Sequence, residues 1–404
     1  MRCPVTQSLT LLSALALLPG QMAAQGFPTS GATSSVSAES LRRFNALVPS
    51  LVQSAHIKAG DLVTITGGPA LVPEMEALGA EVVKAGGRPI LLLDSPRLTR
   101  TLYAEAPEES LNKQSTSYET FAAQHVAVAF YLPNGEDFAT LRKVDRRAKV
   151  DEALARNDAL TAPQRNRGIT RALFIGIPTA SDTASIQMDY APYEAMTWKA
   201  IEADYGSIAA KGQEIKRILR NAKRLHITSP EGTDFTVQLG PRPVIVAAGM
   251  VAPGTRGGEA ARFSALPGGT VAFAPLETTA NGKIRAAEDQ CDQPVRDEAV
   301  DVRNGMSKNV SSASDEECLK RSFADAGRFG SIVIGLNPGI HFDHVPSYGP
   351  QLGNSAGVVS INFGNNKALG GVNPTVGGGW TVPLLHATVE ADGKVIVKDG
   401  KLAL

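Results

Sequence analysis

The sequence has little cysteine, little histidine and no net charge. Its 404 residues contain 3 Cys, 6 His, and 40 basic side chains against 40 acidic ones. No block of Lys or Arg is long enough to follow a phosphate backbone, so nucleic acid is not an expected partner, and neither is an anionic membrane surface. The turn Gly67-Gly68-Pro69 lacks the glycine spacing and the Lys of a phosphate loop. What remains is a neutral chain with few groups that could carry chemistry.

Length and composition describe a globular protein of more than one domain. Hydrophobic residues make up 43% of the chain and charged residues 20%. A chain of 404 residues is too long for one ordinary core, and about 150 residues per domain predicts two or three domains.

The N-terminus has the pattern of a signal peptide. Arg2 precedes an apolar stretch at residues 9–18, and small residues follow, with cleavage expected after Ala23 or Ala24. The apolar stretch is too short to span a bilayer. We therefore predict a signal peptide over residues 1–24, a flexible lead-in over 25–37, and a periplasmic or secreted protein with no membrane span.

Export changes the interpretation of the cysteines. Cys3 leaves with the signal peptide, and Cys291 and Cys318 remain as an even pair in an oxidising compartment. This favours a disulfide between them; two unpaired thiols are the alternative. Nearby acidic residues such as Asp289, Asp292 and Glu316 read as a solvated loop.

Residues 38–223 alternate between strand and helix patterns. Helical spacing at 40–48 is followed by a strand at 61–66, a helix at 72–84 and a strand at 89–93, which predicts a parallel βαβ unit. A second set has strands at 126–130 and 171–179, with a helix at 138–156 between them. A long helix over 192–222, interrupted near Tyr205-Gly206, completes an N-terminal α/β domain.

From residue 224 the pattern changes to short strands separated by turns. Asn281-Gly282, Asn304-Gly305 and Asp399-Gly400 are predicted turns that admit positive φ. The fold class is therefore α/β, with an N-terminal domain of parallel βαβ units and a β-rich, antiparallel C-terminal domain over residues 224–404.

The densest group of metal-ligand residue types lies near residue 340. His341, Asp343 and His344 follow an apolar run, and a strand there would direct His341 and Asp343 to one face. A polar turn with solvated imidazoles is the alternative interpretation.

Several short motifs occur in the order found in one enzyme family. They are Lys58-Ala59-Gly60-Asp61, the Pro178-Thr179 turn, Asp204-Tyr205, Gly232-Thr233-Asp234-Phe235, Leu266-Pro267-Gly268-Gly269 and Gly335-Leu336-Asn337-Pro338. On these pieces the chain resembles the aminopeptidase T family of metallo-aminopeptidases over most of its mature length. The resemblance implies a metal-dependent peptide hydrolase, a peptide or small-molecule substrate, and a homodimer.

The chain departs from that family at the metal site. Where the resemblance implies two Glu ligands, this sequence has Thr270 and Ser331, and where it implies a His opening a strand it has Ser360. The final His-x-Asp is matched at best by His386 with Thr388. Because hydroxyl groups are poor substitutes for carboxylates and imidazoles, the two-metal site is not carried over to this chain.

A replacement site is available by residue type. His341, Asp343 and His386 have the composition of a two-His, one-carboxylate metal site, which leaves metal positions open. A ring-cleaving iron dioxygenase that acts on dihydroxypyridine belongs to the same fold group. We name these three as candidate metal ligands for zinc, cobalt or iron, with Asp343, His344 and Tyr348 as catalytic candidates.

Three functions follow from the sequence. The first is an exported aminopeptidase-like hydrolase with an altered active site. The alternatives are a catalytically inactive relative that binds a small ligand or peptide, and an enzyme like the mononuclear iron dioxygenases. A cleft is expected between the domains, beside Asn337-Pro338-Gly339.

Overall fold

The computed structural model describes residues 36–113, 116–133, 147–180, 182–183, 188–255, 258–290, 294–342, 351–373 and 379–404. The helices in this part of the chain are α1 (Ala38–Ser54), α2 (Val72–Lys84), α3 (Pro96–Glu105), α4 (Glu108–Asn112), α5 (Ser117–His125), α6 (Arg147–Arg167), α7 (Tyr190–Ile201), α8 (Tyr205–Asn221) and α9 (Glu316–Ala326). Short 3-10 turns lie at Pro69–Leu71, Glu259–Arg262, Glu277–Thr279, Leu352–Asn354 and Lys367–Leu369.

The strands fall into three sheets. In chain order they are β1 (Leu62–Gly67), β2 (Arg88–Leu93), β3 (Val126–Tyr131), β4 (Arg171–Ile175), β5 (Arg224–Thr228), β6 (Asp234–Gln238), β7 (Val244–Ala247), β8 (Phe263–Leu266), β9 (Thr270–Phe273), β10 (Asn281–Gln290), β11 (Pro294–Arg303), β12 (Met306–Ser311), β13 (Phe329–Gly335), β14 (Val359–Gly364), β15 (Gly379–Leu384), β16 (Thr388–Ala391), β17 (Lys394–Lys398) and β18 (Lys401–Leu402).

The first sheet is parallel, as predicted. Its order is β2-β1-β3-β4-β8, and each neighbouring pair is parallel. Four strands come from the predicted N-terminal domain, and the fifth, β8, comes from beyond residue 224. Strand β8 pairs with β4 from Ala172–Phe263 to Ile175–Leu266. The second half of the chain therefore completes the sheet of the first half.

The other two sheets are antiparallel, which confirms the predicted fold class. The eight-stranded sheet has the order β12-β11-β10-β6-β5-β16-β17-β18, and the five-stranded antiparallel sheet has the order β15-β14-β13-β9-β7. The boundary between the predicted domains remains a prediction.

Two of the three predicted turns are confirmed and one is wrong. Asn304 and Gly305 have φ of 51° and 76°, and Asp399 and Gly400 have φ of 48° and 72°. Gly282, however, lies inside β10 and pairs with Phe235. A Cβ there would lie 2.1 Å from the Asp234 carbonyl oxygen. Position 282 therefore requires glycine because the neighbouring strand packs closely against it, and not because the chain turns there.

The long helical pattern over 192–222 is interrupted where predicted. Helix α7 ends at Ile201 and α8 begins at Tyr205, where the Asp204 side chain accepts a hydrogen bond from the backbone N–H of Ser207. Such an N-cap satisfies a helix donor that would otherwise lack a partner. The other predicted exposed helix, at 138–156, extends further toward the C-terminus than predicted, because α6 reaches Arg167; residues 138–146 lie outside the described chain.

Two large apolar cores hold these layers together. One includes Phe44, Ile65 and Trp198 and packs α1, α2 and α7 against the parallel sheet. The other includes Phe235 and Trp380 and lies between the antiparallel sheets. No helix in the described part of the chain combines the length and hydropathy needed to cross a membrane.

Candidate functional site

The turn at Asn337 joins three segments of the chain. The Asn337 side-chain Nδ2 donates to the carbonyl oxygens of Ala200 at 3.0 Å and Gly268 at 2.7 Å, and its Oδ1 accepts from the Gly339 N–H at 2.8 Å. Tyr205 reinforces this arrangement, because its hydroxyl donates to Ala200 and accepts from the Gly268 N–H. Asn337 is fully buried, so it anchors the region where the two halves meet.

A small apolar cluster lies directly beyond this turn. Its buried members come from α7 and from the segments after β13 and before β14: Tyr193, Ala200, Ile340, Phe342, Leu352 and Val358. Leu385 packs against it from the end of β15. The cluster thus draws on both predicted domains, and we name it the interdomain cluster.

Two predicted metal ligands border the interdomain cluster. His341 is exposed between the buried Ile340 and Phe342, and His386 is exposed next to Leu385. His341 does not lie on a strand, because β13 ends at Gly335. The strand interpretation is therefore wrong at His341, and Asp343 lies outside the described residues.

His386 is held by a carboxylate. Its Nδ1 lies 2.7 Å from Oε1 of Glu231. Burial on its own would raise the pKa of Glu231, but hydrogen bonds from His386 and Ser229 hold that pKa below its usual range. Since an ionised carboxylate only accepts hydrogen bonds, Nδ1 carries the proton and Nε2 is the nitrogen that can bind a metal. Sequence reasoning did not identify Glu231.

The positions of the other three predicted site residues are not described. Asp343, His344 and Tyr348 lie outside the described residues. Within the described ranges, no group of three or more His, Cys, Asp and Glu side chains is arranged to hold a metal ion. The set of His341, Asp343 and His386 thus remains a prediction.

A polar group missed by sequence reasoning lines the same cluster. Asp182 Oδ2 accepts a hydrogen bond from the Thr179 N–H at 2.8 Å and one from the Tyr193 hydroxyl at 3.4 Å. Gln351 in turn donates to that hydroxyl at 3.0 Å. Burial raises the pKa of Asp182 to about 6, against the opposing effect of its hydrogen bonds. A carboxyl group with a perturbed pKa is typical of functional sites.

The positions implied by the aminopeptidase resemblance lie together on one sheet face. Ser331 is opposite Asn362, Ser360 is opposite Val333, and Thr270 is opposite Gly335. Residues 331, 333 and 335 alternate along β13, so all these side chains lie on one face of the five-stranded antiparallel sheet. We name Thr270, Ser331 and Ser360 the hydroxyl face.

The hydroxyl face does not fit a metal. All three side chains are at most 4% exposed, and Ser331 Oγ has no hydrogen-bond partner. Neutral hydroxyls cannot balance the charge of two divalent cations in a buried site. The hydroxyls of these three residues therefore do not supply a two-metal donor set.

One serine motif was overlooked in the sequence. Residues 353–357 have the Gly-x-Ser-x-Gly spacing of a nucleophile elbow, centred on Ser355. Its hydroxyl is buried and donates to the Ile340 carbonyl oxygen at 2.8 Å, and the segment is a 3-10 turn before β14, not a strand-to-helix turn. Ser355 is therefore a structural residue.

One family model matches part of the chain. Residues 205–404 match the family model described as NicX, 2,5-dihydroxypyridine 5,6-dioxygenase. No curated protein matches the chain. The match covers all strands from β5 to β18 and both histidines that border the interdomain cluster.

Two solved structures share the fold. The 2,5-dihydroxypyridine dioxygenase from Pseudomonas putida KT2440 aligns with a TM-score of 0.58 at 13% identity, covering 91% of this chain and 98% of that one. Wild-type AmpT from Thermus thermophilus aligns with a TM-score of 0.66 at 18% identity, covering 91% and 99%. These identities show a common fold. The aminopeptidase resemblance is thus supported as a structural relation, while the family model that matches is that of a dioxygenase.

Proposed function

We propose that this chain is a mononuclear-metal enzyme of the ring-cleaving dioxygenase type, which acts on a small hydroxylated aromatic compound beside the interdomain cluster. The observation that carries this proposal is the match of residues 205–404 to the dihydroxypyridine dioxygenase family. An aromatic ring suits a site whose walls are apolar and carry a few polar groups.

The donor types in this region suit one metal and not two. His341 and His386 supply imidazoles, and Asp343 supplies the carboxylate of a two-His, one-carboxylate set. Such a metal, when bound, supplies open coordination positions for oxygenase chemistry. Glu231 orients His386 through Nδ1, as carboxylates beside metal-binding histidines commonly do.

Asp182 is the group best suited to proton transfer. With a pKa of about 6 it is mostly ionised near neutral pH, and it can accept a proton from a ring hydroxyl without a large energetic cost. Tyr193 and Gln351 orient it through the hydrogen bonds described above. Its role would be to hold that proton at Oδ1 or Oδ2.

A non-catalytic binding function is the second candidate. The specific observation in its favour is the hydroxyl face, where neutral groups occupy the positions at which the aminopeptidase resemblance implies metal ligands. A peptide hydrolase is supported by the shared fold alone, because the hydroxyl face does not supply a two-metal donor set.

Metal content distinguishes these functions. The mature chain, purified without an affinity tag, should hold about one iron per chain and consume oxygen with 2,5-dihydroxypyridine. The substitution His386→Ala should remove both properties. The matched control is His226→Ala, because His226 also pairs with a carboxylate, Asp234, at 2.8 Å, but lies away from the cluster.

Each other outcome argues against the dioxygenase. Two metals per chain and peptide hydrolysis would favour the hydrolase. No retained metal after growth with iron, together with calorimetric binding of 2,5-dihydroxypyridine, would favour the binding protein. Equal effects of His386→Ala and His226→Ala would remove His386 from the site.

A further inference from the structure

An edge strand of the parallel sheet is unusually apolar and exposed. Parallel strands are normally buried on both faces. Among the described strands, β2 is the last one at one edge of its sheet, yet Ile90, Leu91 and Leu93 are 39%, 43% and 57% exposed. Val83 on α2 and Leu98 on α3, the two helices connected to β2, are 58% and 67% exposed. An exposed apolar edge is a surface that other strands can pair with.

The hydrogen bonds to β1 show which backbone groups face outward. The N–H groups of Arg88 and Asp94 donate to Asp61 and Gly67 at 2.8 and 2.9 Å. Alternate residues of a strand direct their backbone groups to opposite sides. The outward-facing residues at this edge are therefore Pro89, Leu91 and Leu93, and Pro89 brings no N–H.

We propose that a second copy of this chain pairs with β2 in antiparallel fashion about a two-fold axis at Leu91. In this register each Leu91 faces Leu91 of the other copy, and each Pro89 faces Leu93. The two Leu91 residues exchange two hydrogen bonds, and each Leu93 N–H donates to a Pro89 carbonyl oxygen. The missing Pro89 N–H costs only one bond on each side of the axis.

The side chains are self-complementary in the same register. Arg88 of one copy lies opposite Asp94 of the other, and Ile90 lies opposite Leu92. Opposite charges at directly facing positions stabilise an antiparallel pair, as do facing aliphatic side chains. A basic residue at one end of the strand and an acidic residue at the other is the arrangement that a two-fold axis requires. This charge pattern favours a second copy over an unrelated extended peptide.

Pairing would join two five-stranded sheets into one continuous sheet. It would also cover the exposed side chains of β2 and bring the flanking helices α2 and α3 of the two copies together. The proposal does not depend on the dioxygenase function, because β2 and the interdomain cluster share no residues.

Cysteine cross-linking tests the register directly. Facing residues of a hydrogen-bonded antiparallel pair have Cα atoms about 5.5 Å apart, within the range that a disulfide spans. Full-length mature Leu91→Cys should form a covalent dimer under mild oxidation. The matched control is Ile169→Cys, an aliphatic position that is 57% exposed but not on this edge. Equal cross-linking of the two variants, or none at Leu91, would overturn the register.

Sedimentation equilibrium tests the interface without cross-linking. Wild-type protein should be a dimer, and Leu91→Lys should raise the dimer dissociation constant by about tenfold or more, because it places two ammonium groups at the axis. Arg88→Asp should also weaken the dimer, and adding Asp94→Arg should restore it. Circular dichroism checks that each variant is folded. A monomeric wild type, or a dimer unaffected by Leu91→Lys, would refute the proposal.

Discussion

Single polar residues near the interdomain cluster differ in how completely their hydrogen bonds are satisfied. Asn337 uses both its amide N–H groups and its oxygen, whereas Ser331 is equally buried and its hydroxyl has no partner. A satisfied buried group stabilises the fold, and an unsatisfied one costs free energy. Two substitutions of similar chemistry should therefore have opposite effects.

Asn337→Ala should lower the free energy of unfolding by about 2 to 4 kcal/mol, because it removes the side-chain partner of the Gly268 carbonyl and of the Gly339 N–H. The Ala200 carbonyl also loses a hydrogen bond but keeps the one from the Tyr205 hydroxyl. Urea denaturation measures the change. Asn221→Ala, at an exposed position at the end of α8, is the control and should change stability by less than about 0.5 kcal/mol. Equal losses in the two variants would contradict the anchoring role of Asn337.

Ser331→Ala should leave stability unchanged or raise it by about 1 kcal/mol, because the unpaired hydroxyl is removed with little change in volume. The same denaturation experiment applies. Ser355→Ala is the control, and it should be destabilising because it removes the hydrogen bond to Ile340. A loss of stability in Ser331→Ala comparable with the control would show that the Ser331 hydroxyl has a partner in solution.

Elements with strong local patterns could be predicted from the sequence. The helix at 72–84 was placed to the residue, and β1, β2, β3 and β4 lie where the βα alternation placed them. Helical and strand periodicities are local signals, so they do not depend on the rest of the chain. The antiparallel character of the second half followed from its turns, two of which carry the positive φ expected there.

The predictions that failed concern elements whose placement depends on contacts between distant parts of the chain. Strand β8 has no local feature that assigns it to the parallel sheet, since its partner β4 lies about 90 residues earlier in the chain. The acidic segment near the cysteines was interpreted as a solvated loop. Asp289, however, is buried on β10, and Glu316 begins helix α9. The buried Asp289 side chain hydrogen-bonds another carboxyl group, Glu298, on β11.

The pairing of β10 and β11 therefore has a pH dependence. Burial raises the pKa of Glu298 to about 7, although hydrogen bonds from Asp289 and Trp380 oppose the shift. The folded state then binds a proton that the unfolded state releases above pH of about 4.5. Stability from this group is full below that pH and is lost as the pH rises through about 7.

Glu298→Gln should remove this dependence, because the amide oxygen can still accept the Trp380 Nε1–H at any pH. The difference in unfolding free energy between variant and wild type should grow in favour of the variant from pH 5 to pH 8. Glu288→Gln, at an exposed position of the neighbouring strand β10, should show no such trend. A constant difference for Glu298→Gln across this range would refute the buried protonated carboxyl.

The cysteine pairing is an element-scale prediction that still awaits a test. Cys318 is buried on α9, and Cys291 lies outside the described residues. A bridge would close a loop of about 27 residues and stabilise the chain by about 3 kcal/mol in the chain-entropy model. Thiol titration of the unfolded mature protein without reductant should find no free thiol; finding two would exclude the bridge.

At the scale of the whole molecule, the fold does not determine the function. A dioxygenase and AmpT share this architecture over nearly their full lengths, and a fold can host unrelated chemistries. The sequence predicted the fold class. It did not reveal Asp182 or Glu231, because the significance of each comes from contacts that only the folded chain makes, with Tyr193 for Asp182 and with the distant His386 for Glu231.

The two halves of the molecule should unfold together. Strand β8 from the second half completes the sheet of the first, and Asn337 ties β13 to the end of α7. Breaking either half would expose apolar surface and unpaired backbone groups in the other. Two tryptophans report on the halves separately, because Trp198 lies in the core of the parallel sheet and Trp380 in the core of the antiparallel sheets.

Single-tryptophan variants test this coupling. In Trp380→Phe the fluorescence comes from Trp198, and in Trp198→Phe it comes from Trp380. For each variant, the urea transition followed by fluorescence should coincide with the transition followed by far-ultraviolet circular dichroism, because one cooperative unit has one midpoint. Each substitution removes a hydrogen bond, to Glu298 or to Ser40, so the absolute midpoints will differ between variants. A fluorescence midpoint separated from the circular dichroism midpoint within one variant would show that the halves unfold independently, despite the strand that they share.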